Sequence, residues 1–218
     1  MLIVPGLHVG DMTRGGRAYL IVDGTVCVLI DTGAPDGTLG TGQLIESAQR
    51  QPFEVRLILL THAHAGHAGN AAGLRELTGA PVACSRSAAA ALTEPARPQR
   101  TGLIGRLRGA ETLEPVHVDR ILEPGERIDM AGGIEVIGAP GHSPGSLAFH
   151  LLGADVLCLG DAASVERGMV VPPPERHCAD PSSALVTAEA LAAVAARVVA
   201  PGHGFPSIEG RMPKRTMR

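Results

Sequence analysis

Short aliphatic runs alternate with glycine- and proline-rich loops along most of the chain. The runs 17–22 and 25–31 are separated by Asp23-Gly24, a dipeptide typical of tight turns, and they predict two adjacent strands. A third run, 55–60, is rich in leucine and isoleucine and predicts a buried strand. The first part of the chain is therefore predicted to form a sheet.

The remaining segments predict a mixture of helices and strands. Helices are predicted at 41–50, 67–78 and 181–196, and further strands at 81–84, 118–122, 126–129, 133–138, 147–152, 155–160 and 198–200. Gly79 is predicted to end the second helix, and Asp180 to be the N-cap of the third. Residues 85–115, rich in alanine, arginine and proline, predict a helix and an irregular loop, which we interpret as a lid or specificity element.

Length and composition predict a single domain, 1–218, with an aliphatic core, because 44% of the residues are hydrophobic and 2% are aromatic. The net charge of −3 and the lack of a basic stripe argue against nucleic-acid binding. No apolar stretch approaches ~18 residues and the N-terminus lacks a secretory pattern, so neither a membrane span nor export is expected. Three of the four cysteines lie in apolar runs without CxxC spacing, which predicts reduced thiols and a cytoplasmic location.

A cluster of histidines follows the predicted strand 55–60. His62, His64 and His67 have the spacing H-x-H-x-x-H. Histidine is the commonest metal ligand, and imidazoles crowded so closely have no packing reason to occur together. We interpret this cluster as part of a metal site.

Three later loops share the pattern of the histidine loop. Each follows an apolar strand, consists of small residues and carries one side chain of a metal-binding type, namely His142, Asp161 or His203. Glycine and proline let the backbone turn sharply beside an ion. Because metal ligands must converge from distant segments, we expect these strand ends to open at one edge of a sandwich and to complete the site.

In this order, the motifs resemble those of the metallo-β-lactamase fold hydrolase superfamily, and most of all its compact glyoxalase-II-like branch. The family motif is H-x-H-x-D-H, followed by a distant H, D and H. The resemblance assigns His62, His64 and His142 to a first metal site and His67 and His203 to a second, with Asp161 bridging the two. It also implies that Asp31 supports the ligand loop from behind and fixes the orientation of an imidazole.

The resemblance implies an α+β fold, a four-layer αββα sandwich with the metals at one edge. It implies one or two zinc ions as the cofactor, with iron or manganese as alternatives.

Gly66 departs from the family motif, which has an aspartate at this position. In the family, that carboxylate ligates the second metal and helps to orient the attacking hydroxide. Three outcomes are therefore open: a mononuclear enzyme, a dinuclear enzyme with an extra water or a borrowed ligand, or a variant with impaired activity.

The complete first ligand set predicts a metal-dependent hydrolase. We expect it to cleave a small-molecule ester, thioester or lactone with hydroxide that the metal makes available at neutral pH. Asp161 is expected to be the catalytic residue that fixes this hydroxide and moves its proton. Two alternatives are an iron enzyme similar to persulfide dioxygenases, which would use His62, His142 and Asp161, and a metal-binding pseudo-enzyme impaired at the second site. The sequence leaves the oligomeric state open.

Overall fold

Two β-sheets lie face to face in the computed structural model of the protein, which describes residues 1–10, 15–35, 38–94 and 113–208. The first sheet runs in the order β1 (Leu2–Val4), β2 (Leu7–Val9), β3 (Tyr19–Asp23), β4 (Val26–Ile30), β5 (Val55–Leu59), β6 (Val82–Ser85) and β7 (Arg120–Leu122). Neighbouring strands from β1 to β4 are antiparallel, and those from β4 to β7 are parallel.

The second sheet is also mixed. Its antiparallel part runs in the order β8 (Arg127–Ile128), β9 (Ile134–Gly138), β10 (Leu147–Leu151) and β11 (Val156–Gly160). A separate hairpin follows, formed by β12 (Ser164–Glu166) and β13 (Met169–Val171). The last strand, β14 (Val198–Pro201), then pairs in parallel with β11.

Helices cover the outer faces of both sheets. They are α1 (Thr38–Ser47), α2 (Ala65–Ala68), α3 (Ala71–Thr78), α4 (Arg86–Thr93) and α5 (Pro181–Ala192). Leu74 of α3 and Leu92 of α4 pack on the first sheet, whereas Leu191 of α5 packs on the second. Together the layers confirm the predicted αββα sandwich. None of the helices in the described ranges is both long and apolar enough to cross a membrane.

The central strands are continuous aliphatic runs because both of their faces are buried. In β4, Val28 and Ile30 point into the core between the sheets, and Cys27 and Leu29 point towards the helices. Cys27, Cys84 and Cys158 are all buried free thiols, as their positions in the sequence predict.

The prediction of one helix over 67–78 is wrong, because the structure has two helices, α2 and α3, with a break between them. Gly69 lies against Pro35, and Asn70 has φ −110° and ψ 15°, which is not helical. Packing against the loop that follows β4 thus overrides the helical pattern. The predicted stop at Gly79 is confirmed, with this residue in the left-handed conformation.

The ends of the other two predicted helices also shift. The helix predicted at 41–50 is α1, which begins at Thr38 and ends at Ser47, before Gln49 with its positive φ of 55°. The helix predicted at 181–196 begins as expected, because Asp180 accepts hydrogen bonds from the backbone of Ser182 and Ser183, but it ends at Ala192. Of the predicted lid at 85–115, the helix is present as α4, while 95–112 lie outside the described residues.

Candidate metal centre

The carboxyl ends of several strands meet at one edge of the sandwich. In the first sheet, the parallel strands β4 and β5 lead into Asp31 and into the loop of His62. In the second, the parallel strands β11 and β14 lead into Asp161 and His203. Neighbouring parallel strands deliver their carboxyl ends to the same edge, which explains why residues distant in sequence come together.

Hydrogen bonds hold the two sheets together at this edge. The backbone amide of Leu147 donates to the carbonyl of Thr61 at 2.8 Å. The buried hydroxyl of Tyr19 donates to the carbonyl of Pro201 at 2.7 Å. These bonds fix the histidine loop of the first sheet relative to the loops of the second.

A first group of side chains consists of His62, His64 and His142, with Asp161 beside it. The ligand atoms of the three histidines all lie within 4.8 Å of one another. His64 Nδ1 is 2.9 Å from His142 Nε2, and His142 Nε2 is 3.5 Å from Asp161 Oδ2. Ligand atoms in a tetrahedral zinc site are about 3.3 Å apart when the bonds are about 2.0–2.1 Å long. The group therefore has the dimensions of a site for one cation.

A second group shares the carboxylate of Asp161. His67 Nε2 is 3.2 Å from Asp161 Oδ1, and His203 Nε2 is 3.4 Å from Asp161 Oδ2. The two imidazole nitrogens of His67 and His203 are also 3.4 Å apart. Asp161 thus lies between the two groups.

His62 provides the clearest sign that these side chains fit a cation. Its Nδ1 is 2.9 Å from Thr61 Oγ1, but its buried Nε2 has no hydrogen-bond partner among the described residues. Burial, and the charge of neighbouring His67, hold the pKa of His62 well below its ordinary value. A neutral imidazole with a free buried nitrogen is the form of histidine that binds a metal.

Asp31 supports the second group from behind. Its Oδ2 is 2.8 Å from His67 Nδ1, and its Oδ1 accepts a 2.8 Å hydrogen bond from the backbone amide of Thr61. The Thr61 hydroxyl also donates to Oδ2 at 2.8 Å. With Nδ1 of His67 held by a carboxylate, Nε2 is directed towards Asp161, and the supporting role expected of Asp31 is confirmed.

In the metal-free site, His67 is protonated and the neighbouring Asp161 is ionised. Burial alone lowers the pKa of His67, but the Asp31 carboxylate and the hydrogen bonds to Asp161 and Asp31 raise it to about 10. Burial also opposes ionisation of Asp161, yet hydrogen bonds from His203 and His67 hold its pKa well below the usual range. Without a cation, a proton on His67 therefore supplies the positive charge of the site.

We expect the metal-free protein to become less stable as pH rises from 6.5 towards about 10. In this interval, folded His67 retains a proton that the unfolded chain has released, so raising the pH favours unfolding. Chemical denaturation across this pH range measures the decline in the free energy of unfolding. Asp31→Asn should reduce the decline because the carboxylate is its main cause, and zinc should suppress it by taking the place of the proton. A flat profile in the metal-free wild type would contradict this assignment.

The segment Gly15–Arg17 closes over the second group. A Cβ atom at Gly16 would overlap the imidazole of His67, so only glycine permits this approach. The Gly16 amide donates to the carbonyl of Gly66, and the Arg17 amide donates to the carbonyl of Gly202, each at 2.7 Å. This segment was not predicted to be part of the site, and in the sequence it is marked only by the Gly15-Gly16 pair.

All the side chains predicted as metal ligands lie at this one edge. They form the two groups described above: His62, His64, His67, His142, Asp161 and His203. The arrangement can hold one cation between three imidazoles and a carboxylate, with a second position beside it.

The fold and the site define a member of the metallo-beta-lactamase superfamily. The model of that superfamily matches residues 12–203, and the chain belongs to it. A solved subclass B3 metallo-beta-lactamase of Bradyrhizobium japonicum has the same fold, with a TM-score of 0.73 and 23% identity over 93% of this chain and 76% of that one.

Curated relatives are similar over part of the chain. The "Probable metallo-hydrolase YqgX" of Bacillus subtilis (strain 168) is 30% identical over 147 residues, which is 66% of this chain and 64% of that protein. A hydroxyacylglutathione hydrolase of Cereibacter sphaeroides is 30% identical over 124 residues, 56% of this chain and 39% of that protein. The chain is thus a distant homologue of glyoxalase II, and it spans just under two thirds of the length of relatives such as YqgX.

Proposed function

We propose that the protein is a metal-dependent hydrolase that cleaves a small-molecule ester, thioester or lactone. The observation that carries the proposal is the convergence of the His62, His64 and His142 nitrogens beside the Asp161 carboxylate. Membership of the superfamily and similarity to relatives named as metallo-hydrolases support the same reaction class.

In this proposal, His62, His64 and His142 hold the first ion, and His67 and His203 hold a second one with Asp161 between them. Such an ion, when bound, lowers the pKa of water to about 7 and polarises a carbonyl oxygen. In the metal-free site, hydrogen bonds from His203 and His67 hold the pKa of Asp161 well below its usual range, and a bound cation would favour the same charged form. The Asp161 carboxylate therefore accepts a hydrogen bond from the attacking nucleophile and orients it, and it releases any proton that it receives.

The test of this function compares hydrolysis of thioesters, esters and lactones by protein treated with a chelator and by protein reloaded with zinc. We expect activity to disappear on chelation and to return in proportion to the zinc bound. Equal rates in the two preparations would contradict the proposal.

We propose zinc as the metal because three imidazoles and one carboxylate suit it. The iron alternative needs only His62, His142 and Asp161, but His64 Nδ1 also lies 2.9 Å from His142 Nε2 and adds a third imidazole. Elemental analysis of protein purified without added metal distinguishes the two. Iron, together with oxygen uptake in the presence of glutathione persulfide, would instead favour the dioxygenase.

We expect Gly66→Asp to raise the affinity of the second position for zinc by about tenfold or more, because it adds an anionic ligand. A Cβ at Gly66 would lie 3.3 Å from Gly15 Cα and 3.4 Å from the Gly16 amide nitrogen, so small shifts of that segment admit a side chain. Zinc stoichiometry and thioester hydrolysis are the measurements.

Gly66→Ala is the matched control, since it has the same Cβ but no carboxylate. If Gly66→Asp increased neither bound zinc nor activity relative to Gly66→Ala, the site would function without a carboxylate at position 66. A large gain of both would show that the wild-type chain is impaired at its second position.

A further inference from the structure

We infer that Phe205, held in place by Arg17, is a specificity residue that binds an apolar acyl or alcohol group of the substrate beside the metal centre. The inference rests on the proposed function and adds a substrate class to it. Neither residue is a candidate metal ligand, and neither was singled out by the sequence.

Phe205 stands out because the chain has few aromatic residues. Of its four aromatic side chains, Tyr19 and Phe149 are fully enclosed in the core. Phe205 is 73% exposed and Phe53 is 66% exposed. An exposed phenyl ring gains little of the stabilisation that burial gives, so Phe205 contributes little to the core. Its surroundings therefore indicate what else it can do.

Phe205 lies on the loop that carries His203, a member of the second group. It lies two residues after His203, whose side chain is 61% exposed and whose Nε2 is 3.4 Å from Asp161 Oδ2. Both side chains are thus exposed, two positions apart on the same short loop. The inference places a substrate bound at the metal centre next to this ring.

Arg17 holds the ring in a defined place. Its Cζ lies 4.8 Å from the centroid of the Phe205 ring, which is a cation–π arrangement. Its Nη1 donates to the carbonyl of Gly10 at 3.2 Å, and its Nε donates to the carbonyl of Gly204. Within the described residues, Arg17 forms no ion pair with a carboxylate, so its guanidinium is used to hold the loop and the ring.

The backbone connects this pair to the ligands of the second group. The Arg17 amide donates to the carbonyl of Gly202, and Gly16 lies directly against the His67 imidazole. The phenyl ring is therefore connected to the ligands of the second group through Arg17 and its backbone contacts. Because the ring is held before a substrate arrives, little conformational entropy is lost when an apolar group packs against it.

The chemistry of the ring indicates the substrate class. The phenyl face offers apolar contact and neither a hydrogen-bond donor nor an acceptor to a polar acyl group. Each methylene that is fully buried strengthens binding by up to about fourfold. The expected substrates are therefore esters, thioesters or lactones that carry an apolar chain of several carbons, rather than short polar ones.

The experiment measures the ratio of kcat/KM for p-nitrophenyl hexanoate to that for p-nitrophenyl acetate with zinc-loaded protein. The wild type should favour the hexanoate, and Phe205→Ala should lower the ratio by about fivefold or more. Phe205→Leu should restore part of it. Arg17→Gln should also lower the ratio, mainly by raising KM for the hexanoate, because the ring loses its support.

Phe53→Ala is the matched control, since it removes an almost equally exposed phenyl ring that lies before the start of β5, at the end opposite the histidine loop. Phe53→Ala should leave the ratio and the activity unchanged. The inference is contradicted if Phe205→Ala leaves the ratio unchanged, or if Phe53→Ala lowers it equally.

A binding measurement separates this inference from the proposed function. If the wild type hydrolysed no ester, thioester or lactone, the proposed reaction would fail, and the role of Phe205 would be tested by calorimetric titration of zinc-loaded protein with hexanoate and acetate. If the wild type binds hexanoate more tightly than acetate and Phe205→Ala abolishes this preference, the role of Phe205 in binding an apolar chain is supported. Equal affinities of the wild type and this variant for hexanoate would overturn it.

Discussion

Asp161→Asn is expected to lower kcat/KM for any substrate of the wild type by on the order of 10³-fold. The carboxylate is shared by both groups, with its Oδ1 3.2 Å from His67 Nε2 and its Oδ2 3.5 Å from His142 Nε2. An amide keeps the shape but removes the negative charge that offsets a divalent cation. Bound zinc, measured after dialysis at limiting metal, should decrease together with activity.

The control is Asp129→Asn, which neutralises an exposed carboxylate between β8 and β9. This change should alter neither activity nor metal content. If Asp161→Asn kept full activity with a normal zinc content, Asp161 would have no part in the chemistry.

Asp31→Ala is expected to reduce the free energy of unfolding of the metal-free protein by about 3–5 kcal/mol, because it leaves a buried charged partner uncompensated. Asp31 is 2% exposed, and it interacts with the amide and hydroxyl of Thr61 and with Nδ1 of His67. Zinc affinity should fall by about 10–100-fold, since His67 loses the group that orients it.

Denaturant unfolding and zinc titration measure these two effects separately. Asp31→Asn is the companion variant: its amide oxygen can still accept from the Thr61 backbone, so it should lose less stability than Asp31→Ala. It should still lose zinc affinity, because it no longer presents a carboxylate to His67. Unchanged zinc binding in both variants would mean that Asp31 has no influence on the ligands.

The fold could be predicted mainly where the sequence alone determines the local environment. Strands such as β4 and β11 are buried on both faces, so their uninterrupted aliphatic runs identify them. The short strands β1, β2, β12 and β13 were missed because each spans only three residues and several of their side chains are partly exposed. The break between α2 and α3 depends on contact with Pro35, which the helical pattern does not contain.

The ligand side chains were predictable for a related reason. Histidine and aspartate in glycine-rich loops at strand ends are unusual enough to be recognised in sequence. Gly16, Arg17 and Phe205 were not recognised, because their significance arises from contacts between segments far apart in the chain. Arg17 and Gly204, for example, meet across 187 positions.

The most direct test of the account is anomalous diffraction at the zinc edge from crystals of the zinc-loaded protein. We expect a peak about 2.0–2.2 Å from Nε2 of His62, Nδ1 of His64 and Nε2 of His142, with Asp161 beside it. A second, weaker peak is expected next to His67 and His203. A zinc peak bound elsewhere, or imidazoles that turn away from a common centre in the presence of zinc, would contradict it.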